Sequence, residues 1–115
     1  VGHLTVPTMD DVPASLSHKL VTNLLRYDLG FRGVIVTDGL QMQALAQYSD
    51  GEKAVLALAA GNDMLLELDD VPGAVAAIEK ALADGTLTQA ALDASVLRVL
   101  QLKLAHGIVS LPEAG

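Results

Sequence analysis

Gly33-Val34-Ile35-Val36-Thr37 is the stretch that decides the fold class. It is a run of strand length, mostly β-branched, and its polar and apolar positions do not alternate. Strands of this kind are buried on both faces, as in a parallel sheet covered by helices. The sequence therefore predicts an α/β fold. Asp38 follows this strand directly, so it is predicted to lie at the strand's carboxyl end.

Amphipathic segments and one further strand surround this run. Upstream, Ser15 or Ser17 is predicted to cap a helix that runs to about Asp28 and stops at Gly30. Downstream, Met64–Leu68 is a second strand candidate. Three more helices are predicted to begin at the caps Ser49, Asp70 and Thr88 and to end at Gly61, Gly85 and Gly107. Helical spacing predicts these inward-facing residues: Leu20, Val21, Leu24, Leu25; Val71, Val75, Ile78, Leu82; Leu92, Val96, Val99, Leu100.

The number of strands indicates part of a larger sheet. Val1 to Leu4 reads as the tail of a third strand, and the strand-to-strand step of about 30 residues is that of a βαβ unit. Three parallel strands with covering helices would leave sheet edges exposed, which all-parallel sheets seldom tolerate. We therefore expect the last three strand-helix steps of a TIM (β/α)8 barrel, whose complete form takes ~250 residues. The chain has no initiating Met, so residues 1–115 are expected to be an incomplete domain.

Composition excludes several classes of function. The chain has 115 residues, is 51% hydrophobic and carries a net charge of -7, so a phosphate backbone is an unlikely ligand and no nucleic-acid partner is expected. It has no cysteine, which excludes disulfides and Cys-ligated metals. No apolar run is long enough to span a bilayer. No signal peptide is visible in the first residues, which favours the cytoplasm.

Asp38 is the residue most suited to chemistry. Functional groups of parallel α/β folds sit at the carboxyl ends of strands. A carboxylate there can be a nucleophile, a general base, a metal ligand or a phosphoryl acceptor. It can equally cap a helix or fix the loop. Position alone leaves these alternatives open.

The sequence around Asp38 resembles the nucleophile region of family 3 glycoside hydrolases. The β-N-acetylhexosaminidase branch commonly reads L-R-x-x-L-G-F-x-G-V-(V/I)-(V/F)-(S/T)-D-x-L-x-M, and this chain matches from Leu25 to Met42. Three more segments resemble the family in order and at family spacing: His3 with Pro13–Ser17, Ala60–Leu66 (A-G-x-D-x-x-L) and Arg98–Lys103 (R-(I/V)-L-x-x-K). The resemblance covers nearly the whole chain and identifies it as the C-terminal part of such a catalytic barrel.

The resemblance implies a retaining β-glycoside hydrolase with Asp38 as the nucleophile. The implied substrates are N-acetylglucosaminides such as peptidoglycan fragments, because the L-x-M after Asp38 differs from the Trp usual in the glucosidase branch. His3 and Met42 are the implied substrate contacts, although Met42 can instead pack within the loop and His3 can be a polar residue exposed by truncation. No cofactor or metal is implied. The acid/base of this branch lies on a segment resembling K-H-x-P-G-H-G, which does not occur in residues 1–115. The chain alone is therefore expected to be inactive.

The remaining polar residues have structural interpretations. Asp63 is expected to brace the last strand, whereas His18 and His106 are expected to be solvated. Gly39 stands where many family members have Asp or Ala, which suggests unusual backbone angles and a mobile loop after Asp38. The pairs Asp10-Asp11 and Asp69-Asp70 are interpreted as solvated turns rather than metal loops.

Two competing classes of protein remain. In a receiver-like domain Asp38 would be the phosphoryl acceptor. Such a domain needs an acidic pair after its first strand and a lysine at the end of a late strand, whereas Lys103 falls in a predicted helix. A non-catalytic fragment or degenerate homologue would bind sugar or a partner without turnover. Self-association is also expected, because Val34, Val36 and the run from Met64 to Leu66 would expose aliphatic surface in an open barrel.

Overall fold

A computed structural model of the chain describes residues 1–112. Two strands, β1 (Val36–Gly39) and β2 (Met64–Leu66), form a parallel pair. The α-helices are α1 (Asp50–Ala60), α2 (Val71–Asp84) and α3 (Gln89–Ala105). A π-helix spans Lys19–Asp28, and 3-10 turns span Ala14–Leu16 and Gln43–Leu45. None of the helices in this part of the chain is long and apolar enough to cross a membrane.

The predicted helix caps are confirmed. The side chains of Ser49, Asp70 and Thr88 each accept a hydrogen bond from the backbone N–H three residues on, at 3.2, 3.0 and 3.2 Å. Ser17 accepts from the N–H of Leu20 at 3.2 Å at the start of the π-helix. Gly61 ends α1 with φ of 114°, a left-handed conformation that side chains rarely adopt.

The first strand begins later than predicted. The segment from Gly33 to Ile35 lies outside the strand, and several of its polar groups bond to side chains, although the Ile35 carbonyl accepts from the N–H groups of Asp63 and Met64 at 2.7 and 3.1 Å. Arg26 Nη1 donates to the carbonyl of Gly33 at 2.7 Å, and the N–H of Ile35 donates to the Asp63 carboxylate at 2.9 Å. The ladder therefore starts at Val36, and Asp38 lies inside β1 instead of directly after it.

The structure does not confirm a third strand at Val1 to Leu4. Val1 alone follows the parallel pattern: its amino group donates to the carbonyl of Val36 at 2.7 Å, and the N–H of Asp38 donates to its carbonyl at 2.7 Å. Beyond Val1 the chain turns toward the segment before the π-helix. Ser15 N–H donates to the Gly2 carbonyl at 3.0 Å, and Thr5 pairs antiparallel with Pro13.

The predicted helix faces are confirmed only in part: Ile78, Leu82, Leu92 and Val99 are partly buried as expected. Val21 is buried as expected, with Leu20, Leu24 and Leu25 partly buried. In α2 the buried residues are Ala74 and Ala81, whereas Val71 and Val75 are exposed. In α3 only Ser95 is buried, and Val96 and Leu100 are exposed. Small side chains let α2 approach α1 closely, so the larger valines face away from the core.

Two apolar clusters flank the sheet on its helix-covered side. One contains Leu16, Leu40, Leu45 and Ala57. The other contains Val21, Ile35 and Ala60. The opposite side of the sheet is uncovered, and Val36, Met64 and Leu66 lie exposed there. Asp38 shares the exposed side of β1 with Val36, because burial alternates along the strand.

Candidate active site

The structure places Asp38 where the sequence predicts a functional carboxylate. It is the third residue of β1, at the carboxyl end of a parallel strand, and its side chain is exposed. One carboxylate oxygen, Oδ1, accepts a hydrogen bond from the N–H of Gly39 at 2.8 Å. This bond orients the carboxylate and leaves its second oxygen available to a ligand.

A β-bulge sets the position of Asp38. Val36 pairs with Met64 and Gly39 pairs with Leu66, so β1 uses one more residue than β2 over the same span. The N–H of Leu66 donates to the Thr37 hydroxyl oxygen at 3.2 Å, and the N–H of Leu40 donates to the Leu66 carbonyl at 2.8 Å. Bulges redirect side chains and are frequent beside active sites. Here the extra residue frees the Gly39 N–H to bond to Asp38.

His3 is buried directly beneath this bulge. Its Nε2–H donates to the carbonyl of Gly39 at 2.8 Å, and its Nδ1 lies 2.6 Å from Ser15 Oγ. Because the carbonyl can only accept, Nε2 carries a proton, and in the neutral ring the Ser15 hydroxyl donates to Nδ1. The carbonyl of Gly39 also accepts from Met42 N–H at 3.2 Å. His3 thus supports the backbone of the site, and a direct sugar contact by His3 stays a prediction.

Met42 lies on the open loop that follows β1. Its side chain is 46% exposed and precedes the 3-10 turn Gln43–Leu45. Its neighbour Gln41 donates from Nε2 to Asp69 Oδ1 at 2.7 Å, which ties this loop to the one after β2. The exposure of Met42 leaves it free to touch a ligand, and that role also stays a prediction.

Gly39 lies in β1 with ordinary backbone angles. The expectation of unusual backbone angles is wrong, because Gly39 is a buried strand residue and its φ is not positive. The mobility of the loop stays a prediction. A Cβ at this position would meet the carboxylate end of the flexible Glu67 side chain, which would have to move aside. Glu67 itself has φ of 55°, a conformation uncommon for residues other than glycine. Sequence reasoning missed Glu67, because no local pattern signals a left-handed glutamate after a strand.

Asp63 is confirmed as a brace of the second strand. It lies at the amino ends of the two strands, opposite the end that bears Asp38. Its Oδ2 accepts from Arg26 Nη2 and from the Ile35 N–H, both at 2.9 Å. Its Oδ1 accepts from Ser95 Oγ at 2.6 Å and from Arg98 Nη1 at 2.8 Å. Burial is the largest single influence and acts to raise the pKa of Asp63. The hydrogen bonds from Ser95, Ile35 and Arg98 outweigh it, so the pKa lies below its ordinary value.

The acidic pairs are structural too. Asp10 accepts from Ser17 Oγ at 2.6 Å, and this bond is the main reason that its pKa is lowered. Asp70 is the cap of α2. His18 and His106 are exposed, as expected. Across residues 1–112 we find no group of three or more His, Cys, Asp or Glu side chains arranged to hold a metal ion.

The clefts of the molecule lie away from Asp38. A groove of about 460 Å³ runs between α1 and α2, lined by Gly51, Val55 and Ala77 among others. Asp38 instead faces the open side of the sheet. Its surroundings in this chain are the strand end, the Gln41–Met42 loop and the loop after β2.

The arrangement does not support a receiver-like domain. Asp10 and Asp11 lie in a turn near the antiparallel pairing of Thr5 with Pro13, not after a parallel strand. Lys103 lies in the last turn of α3. Within residues 1–112, neither the Asp10-Asp11 pair nor Lys103 therefore accompanies Asp38 at a strand end.

Comparison with known proteins shows the family. Residues 1–102 match the model of the glycosyl hydrolase family 3 N terminal domain. A β-N-acetylglucosaminidase/β-glucosidase of Cellulomonas fimi is 32% identical over 130 residues, covering 100% of this chain and 23% of that protein. A β-hexosaminidase of Idiomarina loihiensis is 36% identical, covering 97% of this chain and 32% of that protein.

Solved structures agree with these matches. The β-N-acetylglucosaminidase from Thermotoga maritima has a TM-score of 0.82 at 31% identity, covering 88% of this chain and 23% of that chain. The M. tuberculosis protein LpqI has a TM-score of 0.84 at 38% identity, covering 90% and 33%. This chain thus spans no more than about a third of these relatives. By sequence and by fold, the chain belongs to glycosyl hydrolase family 3.

Proposed function

We propose that the protein containing this chain is a retaining β-glycoside hydrolase in which Asp38 is the nucleophile. The observation that carries the proposal is the exposed Asp38 carboxylate on a bulge at the carboxyl end of a buried strand, inside the family's nucleophile motif. Relatives named β-N-acetylglucosaminidase and β-hexosaminidase favour N-acetylglucosaminides as substrates, peptidoglycan fragments among them.

The geometry of Asp38 suits attack on an anomeric carbon. In a retaining mechanism a carboxylate oxygen bonds to that carbon, the leaving oxygen is protonated, and water later cleaves the glycosyl-enzyme ester. The Gly39 N–H holds Oδ1, so the other oxygen is the one presented to the sugar. His3 acts indirectly by fixing the Gly39 carbonyl. Sugar contacts by His3 and Met42 are part of the proposal.

The fold proposed for the complete catalytic domain is a TIM barrel, of which residues 1–115 are the C-terminal part. The parallel β1–β2 pair supports this, as does the parallel bonding of Val1 on the other side of β1. The exposed side chains of Val36, Met64 and Leu66 would then fill the barrel interior, with Asp38 above them at the carboxyl face.

The isolated chain is proposed to be inactive. A retaining enzyme needs a second group ~5 Å from the nucleophile to protonate the leaving oxygen, and general acid-base help is worth ~10²–10⁴-fold. The segment that resembles the family's acid/base loop does not occur in residues 1–115. A degenerate homologue that binds sugar without turnover is the alternative.

The test is made in the complete protein with an aryl β-N-acetylglucosaminide. Asp38→Ala should abolish turnover and leave the fold intact, because an exposed strand-end side chain adds little core packing. Glu79→Ala is the matched control and should retain turnover, since Glu79 is an exposed carboxylate on α2, outside the site. A 2-fluoro sugar with a good leaving group should label Asp38. Labelling of another carboxylate, or near-normal turnover by Asp38→Ala, would overturn the assignment.

A further inference from the structure

Two adjoining clefts lie at the end of the sheet where the strands begin, opposite the end that bears Asp38. One has a volume of about 330 Å³ and lies between the π-helix, α1 and α3. The other, of about 380 Å³, lies beside Gly30, Phe31 and Arg32. Arg26, Tyr27 and Arg98 line both. The two clefts therefore form one continuous surface near the amino ends of the strands, which we call the arginine cleft.

The charge of the arginine cleft opposes that of the chain. The net charge of the chain is -7, yet three of its seven lysines and arginines meet here and neither lining includes an Asp or Glu. Asp63 lies beneath the cleft with its side chain fully buried, and both Arg26 and Arg98 bond to it. Three guanidinium groups against one carboxylate leave two positive charges uncompensated.

The donors of the cleft are only partly used. Arg26 is committed to the structure, since it bonds to Asp63 and to the carbonyls of Phe31 and Gly33. Arg98 uses Nη1 alone on Asp63, and 31% of its side chain is exposed. Arg32 is exposed and makes no hydrogen bond or ion pair with any residue between 1 and 112. Free guanidinium donors are suited to oxyanions, which they bind with short charge-assisted bonds.

We propose that the arginine cleft binds the phosphate group of a small phosphomonoester. Such a group carries a charge of about −1.5 to −2 at neutral pH, which matches the two uncompensated charges. The volume of each part falls in the range of ~300–1,000 Å³ typical of small-molecule sites. Tyr27 in the lining offers a contact to the organic part of the phosphomonoester. The site is distinct from that of Asp38, and the proposal does not depend on the glycosidase assignment.

Titration of inorganic phosphate into the complete protein at constant ionic strength tests the proposal. Calorimetry or NMR should show saturable binding, and Arg32→Gln should weaken it about tenfold, because one charge-assisted donor is lost. Lys103→Gln is the matched control: it removes one exposed positive charge outside the cleft and should leave the affinity unchanged. Arg98→Lys keeps the charge but loses the planar donors, so it should also weaken binding.

Other anions and one further variant locate the site. Acetate, a monoanion, should bind more weakly than phosphate. Asp38→Asn should leave phosphate binding unchanged. Non-saturable binding, an equal loss in Arg32→Gln and Lys103→Gln, acetate as strong as phosphate, or sensitivity to Asp38→Asn alone would each overturn the proposal.

Discussion

At the scale of single residues, the Asp63 carboxylate connects several elements of the fold, whereas Asp38 bonds only to its neighbour Gly39. Its two oxygens receive donors from the π-helix, from the residue before β1 and from α3. A buried charge is stabilising only when it is paired and fully hydrogen-bonded. Asp63 meets both conditions, so the helices depend on it for their position.

Replacing Asp63 should therefore cost much stability. Asp63→Asn leaves two arginines without their anion, and the free energy of unfolding should fall by about 3–5 kcal/mol. Urea unfolding of the complete protein measures this. Asp69→Asn is the control, because Asp69 is exposed and accepts only from Gln41, and it should change stability by at most about 0.5 kcal/mol. If the free energy of unfolding fell by less than about 1 kcal/mol in Asp63→Asn, the hydrogen bonds of Asp63 would not be important for stability.

The same carboxylate should contribute to acid unfolding. The pKa of Asp63 is lowered from 3.8 in the folded protein, so its stabilising effect is complete above 3.8 and is lost as the pH falls through the folded pKa. The stability difference between wild type and Asp63→Asn should thus be largest near pH 7 and shrink below about pH 4. The lowered pKa values of Asp10, Asp50 and Asp84 are common to both proteins and cancel. A difference that is constant with pH would contradict this.

Thr37 is expected to position Asp38, the proposed nucleophile, in the complete protein. Its hydroxyl oxygen accepts from Leu66 N–H where a backbone carbonyl would in a regular ladder, and this keeps the bulge open. Thr37→Val removes the acceptor and should lower kcat by about 10- to 100-fold, with KM little changed, because Asp38 is displaced rather than removed. Thr37→Ser keeps the hydroxyl and should retain near-normal kcat. Equal kcat values for Thr37→Val and Thr37→Ser would show that the Thr37 hydroxyl does not position Asp38.

At the scale of elements, the helix ends were predictable because capping is local. Ser49, Asp70 and Thr88 bond to groups three residues away, so a short stretch of sequence contains the whole interaction. The position of Asp38 at a strand end was predictable for the same reason, since the apolar run before it is contiguous.

The buried faces of the helices were not predictable by hydrophobicity alone. Val75 is exposed and Ala74 is buried because α2 lies close to α1, and that distance is a property of the tertiary structure. The bulge depends likewise on the Leu66 N–H, 29 residues beyond Thr37, and the support of Gly39 by His3 spans 36 residues. Gly39 itself was a signal, because glycine inside a strand often marks a bulge or a close backbone approach.

At the scale of the whole molecule, the sheet is covered by helices on one side only. The exposed fractions of Val36, Met64 and Leu66 are 39%, 42% and 45%, and the three lie on the same uncovered side. Contiguous apolar surface of this kind marks contacts or aggregation. The same side bears Asp38, which explains why the candidate nucleophile lies on an open surface in this chain.

The 115-residue chain by itself should therefore associate or be unstable. Burial of the exposed sheet residues against another copy would gain about 25 cal/mol per Å² of apolar surface. Met64→Lys should shift the chain toward smaller species in light scattering, because a charge on the uncovered side opposes burial. Leu97→Lys is the matched control: Leu97 is 55% exposed on α3, away from the sheet, and the change should not alter the size distribution. A monodisperse monomer with a cooperative thermal melt for the unmodified chain would contradict the prediction, since it would mean that the uncovered side is stable in water.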